Sequence, residues 1–196
     1  MAVVDANLNC IAIDVGAYGR EADSSVFRES AFGKKLYSNL FQIPEPSALP
    51  SENNIQPYVF VADEVFSLHT NILRPFPGRG LNETRQVFNY RLSRARRTVE
   101  CAFGVLANKW RVLHTPILVE PAFCDDIVKA YCVLHNFVRK RDRCNYEEAD
   151  ENYMNLHLSD MDHQSRNVSS REIEIRENYA NYFINEGAVP FQYRGF

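Results

Sequence analysis

The 196-residue sequence has no run of eighteen apolar residues, one tryptophan, only 8 glycines and 9 prolines, and five cysteines with no CxxC pair. Each shortage excludes something. Without a long apolar run no membrane-spanning helix is predicted, and so little glycine and proline rules out collagen and low-complexity chains. The most apolar stretches, 2–15 and 55–62, are short and interrupted by Asp5, Asn7, Asn9, Asp14 or Gln56, so they read as strands. No basic stretch ahead of a small-residue cleavage site opens the sequence, which argues against a secretory signal. Cys10, Cys101, Cys124, Cys132 and Cys144 therefore read as reduced thiols of an intracellular protein. The sequons at Asn82 and Asn167 carry no weight outside a secreted context. What is present is enough apolar side chain, 45% of residues, to bury a core without a disulfide or metal staple.

The net charge of −3 conceals a segregation along the chain. Residues 1–73 carry 4 basic and 9 acidic side chains, 74–146 carry 14 and 6, and 147–196 carry 4 and 10. The basic excess is mostly arginine: Arg74, Arg79, Arg85, Arg91, Arg94, Arg96, Arg97 and Arg111, with Lys109. Arginine suits bidentate contact with phosphate, although a solvated helix face explains the charge density equally well. Residues 147–196 read as an acidic, polar C-terminal tail rather than a core element, which puts a domain limit near 146.

Residues 2–5 and 10–15 predict two antiparallel strands joined by the polar turn at 6–9. Asp23-Ser24-Ser25 reads as the cap of one helix through Leu40, and the prolines at 44, 46 and 50 as a surface loop. Residues 58–62, Tyr-Val-Phe-Val-Ala, predict a strand buried on both faces that ends at Asp63-Glu64. A Pro/Gly-rich connection follows at 71–80. Phe88, Leu92, Ala95, Val99, Phe103, Leu106 and Trp110 recur at steps of three and four, one apolar stripe of a long helix with Trp110 in the core. Glu100 sits at the edge of that stripe, one turn beyond Arg96. A last apolar helix runs from 125 or 126 to the basic end Arg139-Lys140-Arg141, whose charge also suits a helix C-terminus.

Metal-assisted phosphoryl chemistry needs carboxylates converging from different elements, because Mg²⁺ takes hard oxygen ligands and keeps positions for phosphate and water. Asp63 at a strand end and Glu100 on a later helix supply two, with arginines beside them. From position alone, a turn-capping Asp63 and a helix pair between Glu100 and Arg96 explain them as well. His69, His114, His157 and His163 have no metal-ligand spacing, Cys124 with Cys132 lacks the partners of a zinc site, and His135 reads as a packing residue.

Seven blocks in order carry a resemblance. They are 4–7 (Val-Asp-Ala-Asn), Asp14 to Arg20 with Asp23 and Val26-Phe27, 62–66 (Ala-Asp-Glu-Val-Phe), 74–78 (Arg-Pro-Phe-Pro-Gly), Phe88 to Glu100, Phe103-Gly104, and 133–137 (Val-Leu-His-Asn-Phe). Over about residues 1–140 the sequence resembles the nuclease domain of PIF/Harbinger transposases and their domesticated relatives, DDE superfamily endonucleases. The resemblance implies an α/β, RNase H-like mixed sheet flanked by helices, and a carboxylate triad holding divalent Mg or Mn. Asp63 matches the aspartate at the end of the fourth strand, Glu100 the glutamate of the Arg-x-x-x-Glu signature, and Arg96 its arginine; Asp23 matches an aspartate that some alignments count in the triad. Arg91, Arg94, Arg96 and Arg97 are then expected at DNA phosphates, with Arg94, Arg96 and Arg97 alternatively orienting the carboxylates. Ala107 and Ser93 stand where related signatures have lysine and tyrosine.

The family's first catalytic aspartate lies on a strand preceding the segment matched here, and Asp5, in a turn, does not replace it. The expectation is therefore a partial, N-terminally truncated domain over 1–146 that lacks the first strand, followed by the tail 147–196. The function implied is divalent-metal-dependent cleavage of DNA phosphodiesters. The alternative is a catalytically inactive domesticated or truncated derivative serving as a DNA- or protein-binding module. DNA, a Myb/SANT-like DNA-binding partner, self-association through the open sheet edge, no membrane, and a nuclear or cytoplasmic location complete the expectations.

Overall fold

A computed structural model of the chain describes residues 1–142 and 168–195. These form two compact units, one of residues 1–38 and 97–142, the other of 39–96 and 168–195. The class is mixed α/β, and the strands among the described residues form three separate two-stranded sheets. Among the described residues no helix is long and apolar enough to cross a membrane.

In the first unit β1 (Ala2–Val4) and β2 (Cys10–Ile13) form the expected antiparallel hairpin, with Ala2 opposite Ile13 and a register shift between Val3 and Val4. The Asp5 carboxylate closes the turn by accepting from the backbone N–H groups of Asn7 and Asn9, both at 2.8 Å. Burial pushes the Asp5 carboxyl up, but the Asn9 side chain and these N–H groups outweigh it and hold its pKa below the ordinary carboxylate value. The single helix expected from Asp23 to Leu40 is two, α1 (Asp23–Glu29) and α2 (Ala31–Tyr37). Ser30 separates them because its hydroxyl donates to the Phe27 carbonyl at 2.6 Å and accepts from Gly33 N–H at 2.9 Å, so it ends one helix and caps the next. No side chain caps α1, which starts after Ala22 with Asp23 already helical. The last apolar helix, α4 (Pro121–Asp142), begins four residues earlier than Asp125, with proline at the first position, where its missing N–H costs nothing.

In the second unit β3 (Ser47–Ala48) pairs antiparallel with β4 (Ile55–Gln56), so the expected loop at 44–50 contributes a short strand. β5 (Phe60–Val61) pairs in parallel with β6 (Ile72–Leu73), Phe60 opposite Ile72. The expected strand at 58–62 is thus shorter, and it is not buried on both faces: Val61 is 40% exposed. The long helix α3 (Glu83–Lys109) runs as the spacing predicts and contributes residues to both units. Phe88 and Leu92 are buried on the second unit's side of residue 96, and Ala102 and Leu106 on the first unit's side. Ala95 is exposed, as is Phe103 at 48%, so the stripe is buried only where an element covers it.

The acidic tail needs correction. Residues 143–167, which include Cys144 ahead of the tail and His157 and His163 within it, lie outside the described residues, but residues 170–184 form α5 (Ser170–Ile184) in a core. Ile175, Tyr179 and Ala180 are buried with Leu73, Phe76, Phe88 and Leu92, and Phe183 packs against them. A capping box between Ser169 and Glu172 starts the helix. An apolar i, i+4 stripe, Ile175, Tyr179 and Phe183, inside a polar sequence is what buries it.

Candidate active site

Asp63 stands two residues past β5, where the ladder ends with Ala62 N–H donating to the Leu73 carbonyl at 2.9 Å. Phe66 N–H donates to the Asp63 carbonyl at 3.2 Å and closes a turn. One Asp63 carboxylate oxygen, Oδ1, accepts from Glu64 N–H at 2.6 Å. The other, Oδ2, takes an Arg96 guanidinium nitrogen at 2.8 Å, with the two side chains only 23% and 17% exposed. A second arginine binds the same turn, Arg74 donating to the carbonyls of Glu64 at 3.0 Å and Phe66 at 3.3 Å. The fold therefore joins two of the site residues, Asp63 and Arg96.

Glu100 lies exposed on α3, one turn after Arg96, and Asp23 lies exposed in the first turn of α1. Among the described residues no three His, Cys, Asp or Glu side chains form a group that could hold a metal ion.

The arginines divide by use. Arg91 donates to the Gly187 carbonyl and stacks on Phe183 at 4.0 Å, and burial lowers its pKa. Arg94 is exposed but lies over Phe191 at 4.4 Å, and Arg97 is exposed. Arg85 pairs with Glu177 at 2.8 Å, and both Arg85 and Arg176 lie over the Phe76 ring, at 4.8 and 4.1 Å. Burial, and then the nearby Arg74, bring Arg176 down to about 10. Arginine count alone overstates the charge this unit offers to a ligand.

Two asparagines stand in the blocks named above, but their bonding role has no sign in the sequence. Asn89 accepts from Phe76 N–H at 2.8 Å and donates to the Phe76 carbonyl at 3.0 Å, tying the Arg-Pro-Phe-Pro-Gly segment to α3. Asn136 does the same for Cys10, accepting from its N–H at 2.9 Å and donating to its carbonyl at 2.8 Å. Each amide pairs with one residue as a neighbouring strand would. Nothing periodic marks such residues, because the bond is set by where two distant segments meet. His135 is a buried packing residue, as expected: its Nε2 lies 2.7 Å from the Leu8 carbonyl and its ring edges Trp110. Trp110 is half-buried rather than core, its ring tilted against Tyr131 with centroids 5.4 Å apart.

Both clamps lie within the stretch of the chain that matches a known family. Residues 1–136 match the family described as DDE superfamily endonuclease. The chain belongs to this family of DDE endonucleases. The Arabidopsis thaliana protein described as "Protein ALP1-like" is 25% identical over 138 residues, 70% of this chain. The match covers 34% of that relative, so the chain spans about a third of its length. No solved structure matches this DDE endonuclease chain.

Proposed function

We propose that this chain is the nuclease part of a transposase-derived protein that cleaves DNA phosphodiesters with divalent metal, and that its strands belong to an RNase H-like sheet. The observation that carries this reading is Asp63, a carboxylate presented just past a parallel ladder and already facing a cation, the Arg96 guanidinium. Carboxylate oxygens are the donors a hard ion such as Mg²⁺ or Mn²⁺ takes, so the residue types fit. Asp63 would be a ligand of the ion, Glu100 and Asp23 are the other carboxylates that the family resemblance offers, and water and phosphate oxygens would complete the shell. The bound ion would supply charge neutralisation at the phosphoryl group. Asp63 would give its carboxylate, Arg96 and Arg74 would keep that carboxylate oriented, and the exposed Arg94 and Arg97 would hold the DNA backbone without reading sequence. A Myb/SANT-like partner and a nuclear location belong to the same proposal.

The test is nicking of supercoiled plasmid by the full chain in Mn²⁺, alongside Asp63→Asn and Glu100→Gln. Nicking that disappears in both variants supports the reading. Salt-sensitive DNA binding without nicking would instead favour a binding module that has lost the chemistry, a reading that the lack of three converging ligands among the described residues keeps in play.

A further inference from the structure

The Asp63 turn is held by two guanidiniums that do different things. Arg74, the first residue after β6, donates to carbonyls, those of Glu64 and Phe66. Those bonds are indifferent to whether the carboxylate binds a cation. Arg96 instead donates to Oδ2 itself, the lone pairs that a hard divalent ion would need. The carboxylate is 23% exposed, so protein donors replace much of its hydration, and Arg96 is the charged donor that meets Oδ2. A guanidinium on a long side chain can supply it and can also swing away.

We propose that Arg96 is a displaceable counter-charge, a positioning residue that holds Asp63 ready in the cation-free protein and yields Oδ2 to a divalent cation. Arg74 is the fixed partner that keeps the turn in place in both states. This rests on the reading of Asp63 as a metal ligand. A guanidinium with a purely structural role would support stability and cation binding together. A displaceable one supports stability and opposes cation binding, and that difference in sign separates the two.

Free Mn²⁺ measured by electron paramagnetic resonance during titration of the full chain reads this directly, with Mn²⁺ alone as probe and a thermal melt on each variant. Arg96→Gln is expected to melt lower yet bind Mn²⁺ about tenfold tighter, the scale of one charge-assisted hydrogen bond that no longer competes. Arg74→Met is expected to bind about threefold more weakly, because the turn loosens. Asp63→Asn, alone and combined with Arg96→Gln, is expected to abolish the binding. Unchanged or weaker Mn²⁺ binding in folded Arg96→Gln overturns the proposal. Should that variant not fold, Arg96→Met carries the same comparison, since it removes the charge and keeps an unbranched apolar stem; binding no tighter than wild type overturns the proposal there too. Binding that survives Asp63→Asn overturns the metal-ligand reading itself, whatever Arg96 does. Absence of Mn²⁺ uptake by every folded variant overturns the proposal, because the carboxylate then attracts no cation even when the guanidinium is gone.

Discussion

Asn136 shows how much of the first unit hangs on one side chain. Its amide satisfies both backbone groups of Cys10, so Asn136→Ala leaves a donor and an acceptor without partners and is expected to cost ~2–4 kcal/mol in urea unfolding. His135 adds a pH signature. The Leu8 carbonyl can only accept, so the ring carries a proton on Nε2, and burial favours the neutral ring. Burial first, then Arg139 and Lys109, hold it below the ordinary 6.5, against the upward pull of the Leu8 bond. The unfolded ring protonates before the folded one does, so this contribution is whole above pH 6.5 and is lost as pH falls through the folded value. Unfolding free energy measured against pH is expected to decline over that window in the wild type, and the decline should flatten in His135→Gln. Residue-scale legibility was uneven for a plain reason. A histidine on an apolar helix face announces burial through its spacing, whereas an asparagine that meets a strand far away in sequence leaves no local trace.

At the scale of elements, periodicity located α3 and α4 and the polar break located the hairpin, because each depends on local pattern. The pattern failed where a side chain competes with the backbone. Ser30 interrupts what reads as one helix, and Ser30→Ala is expected to cost about 1–2 kcal/mol in a thermal or urea melt through loss of the α2 cap. The same site tests the break itself, since the Phe27 carbonyl would also lose its hydroxyl partner. Composition failed at α5. The acidic run at 147–151 sets the average of the last fifty residues and hides the stripe of Ile175, Tyr179 and Phe183. Ile175→Ala is expected to destabilise the second unit by ~2–4 kcal/mol, which a tail helix would not show. Asp63 was legible as a strand-end carboxylate. Its pairing with Arg96 was not, because the two are 33 residues apart in different elements.

For the whole molecule, the basic middle of the sequence is divided between internal stacking and solvent. Arg97→Ala is expected to weaken DNA binding uniformly over sequences and to lower the salt dependence by about one counterion, read from log K against log salt. Arg91→Ala should chiefly lower the melting temperature, since its guanidinium serves Gly187 and Phe183. The arrangement of the units also has a consequence in time. Residues 39–96 separate the two stretches of the first unit, and Asn136 follows Cys10 by 126 residues. At roughly 5–20 residues per second of synthesis, the hairpin waits on the order of 6–25 s after leaving the ribosome before its outward backbone groups can be capped. For that interval Cys10 offers an open strand edge to any neighbouring nascent chain. Slower translation of the intervening stretch would therefore lower the soluble yield of this protein without changing one atom of its native state.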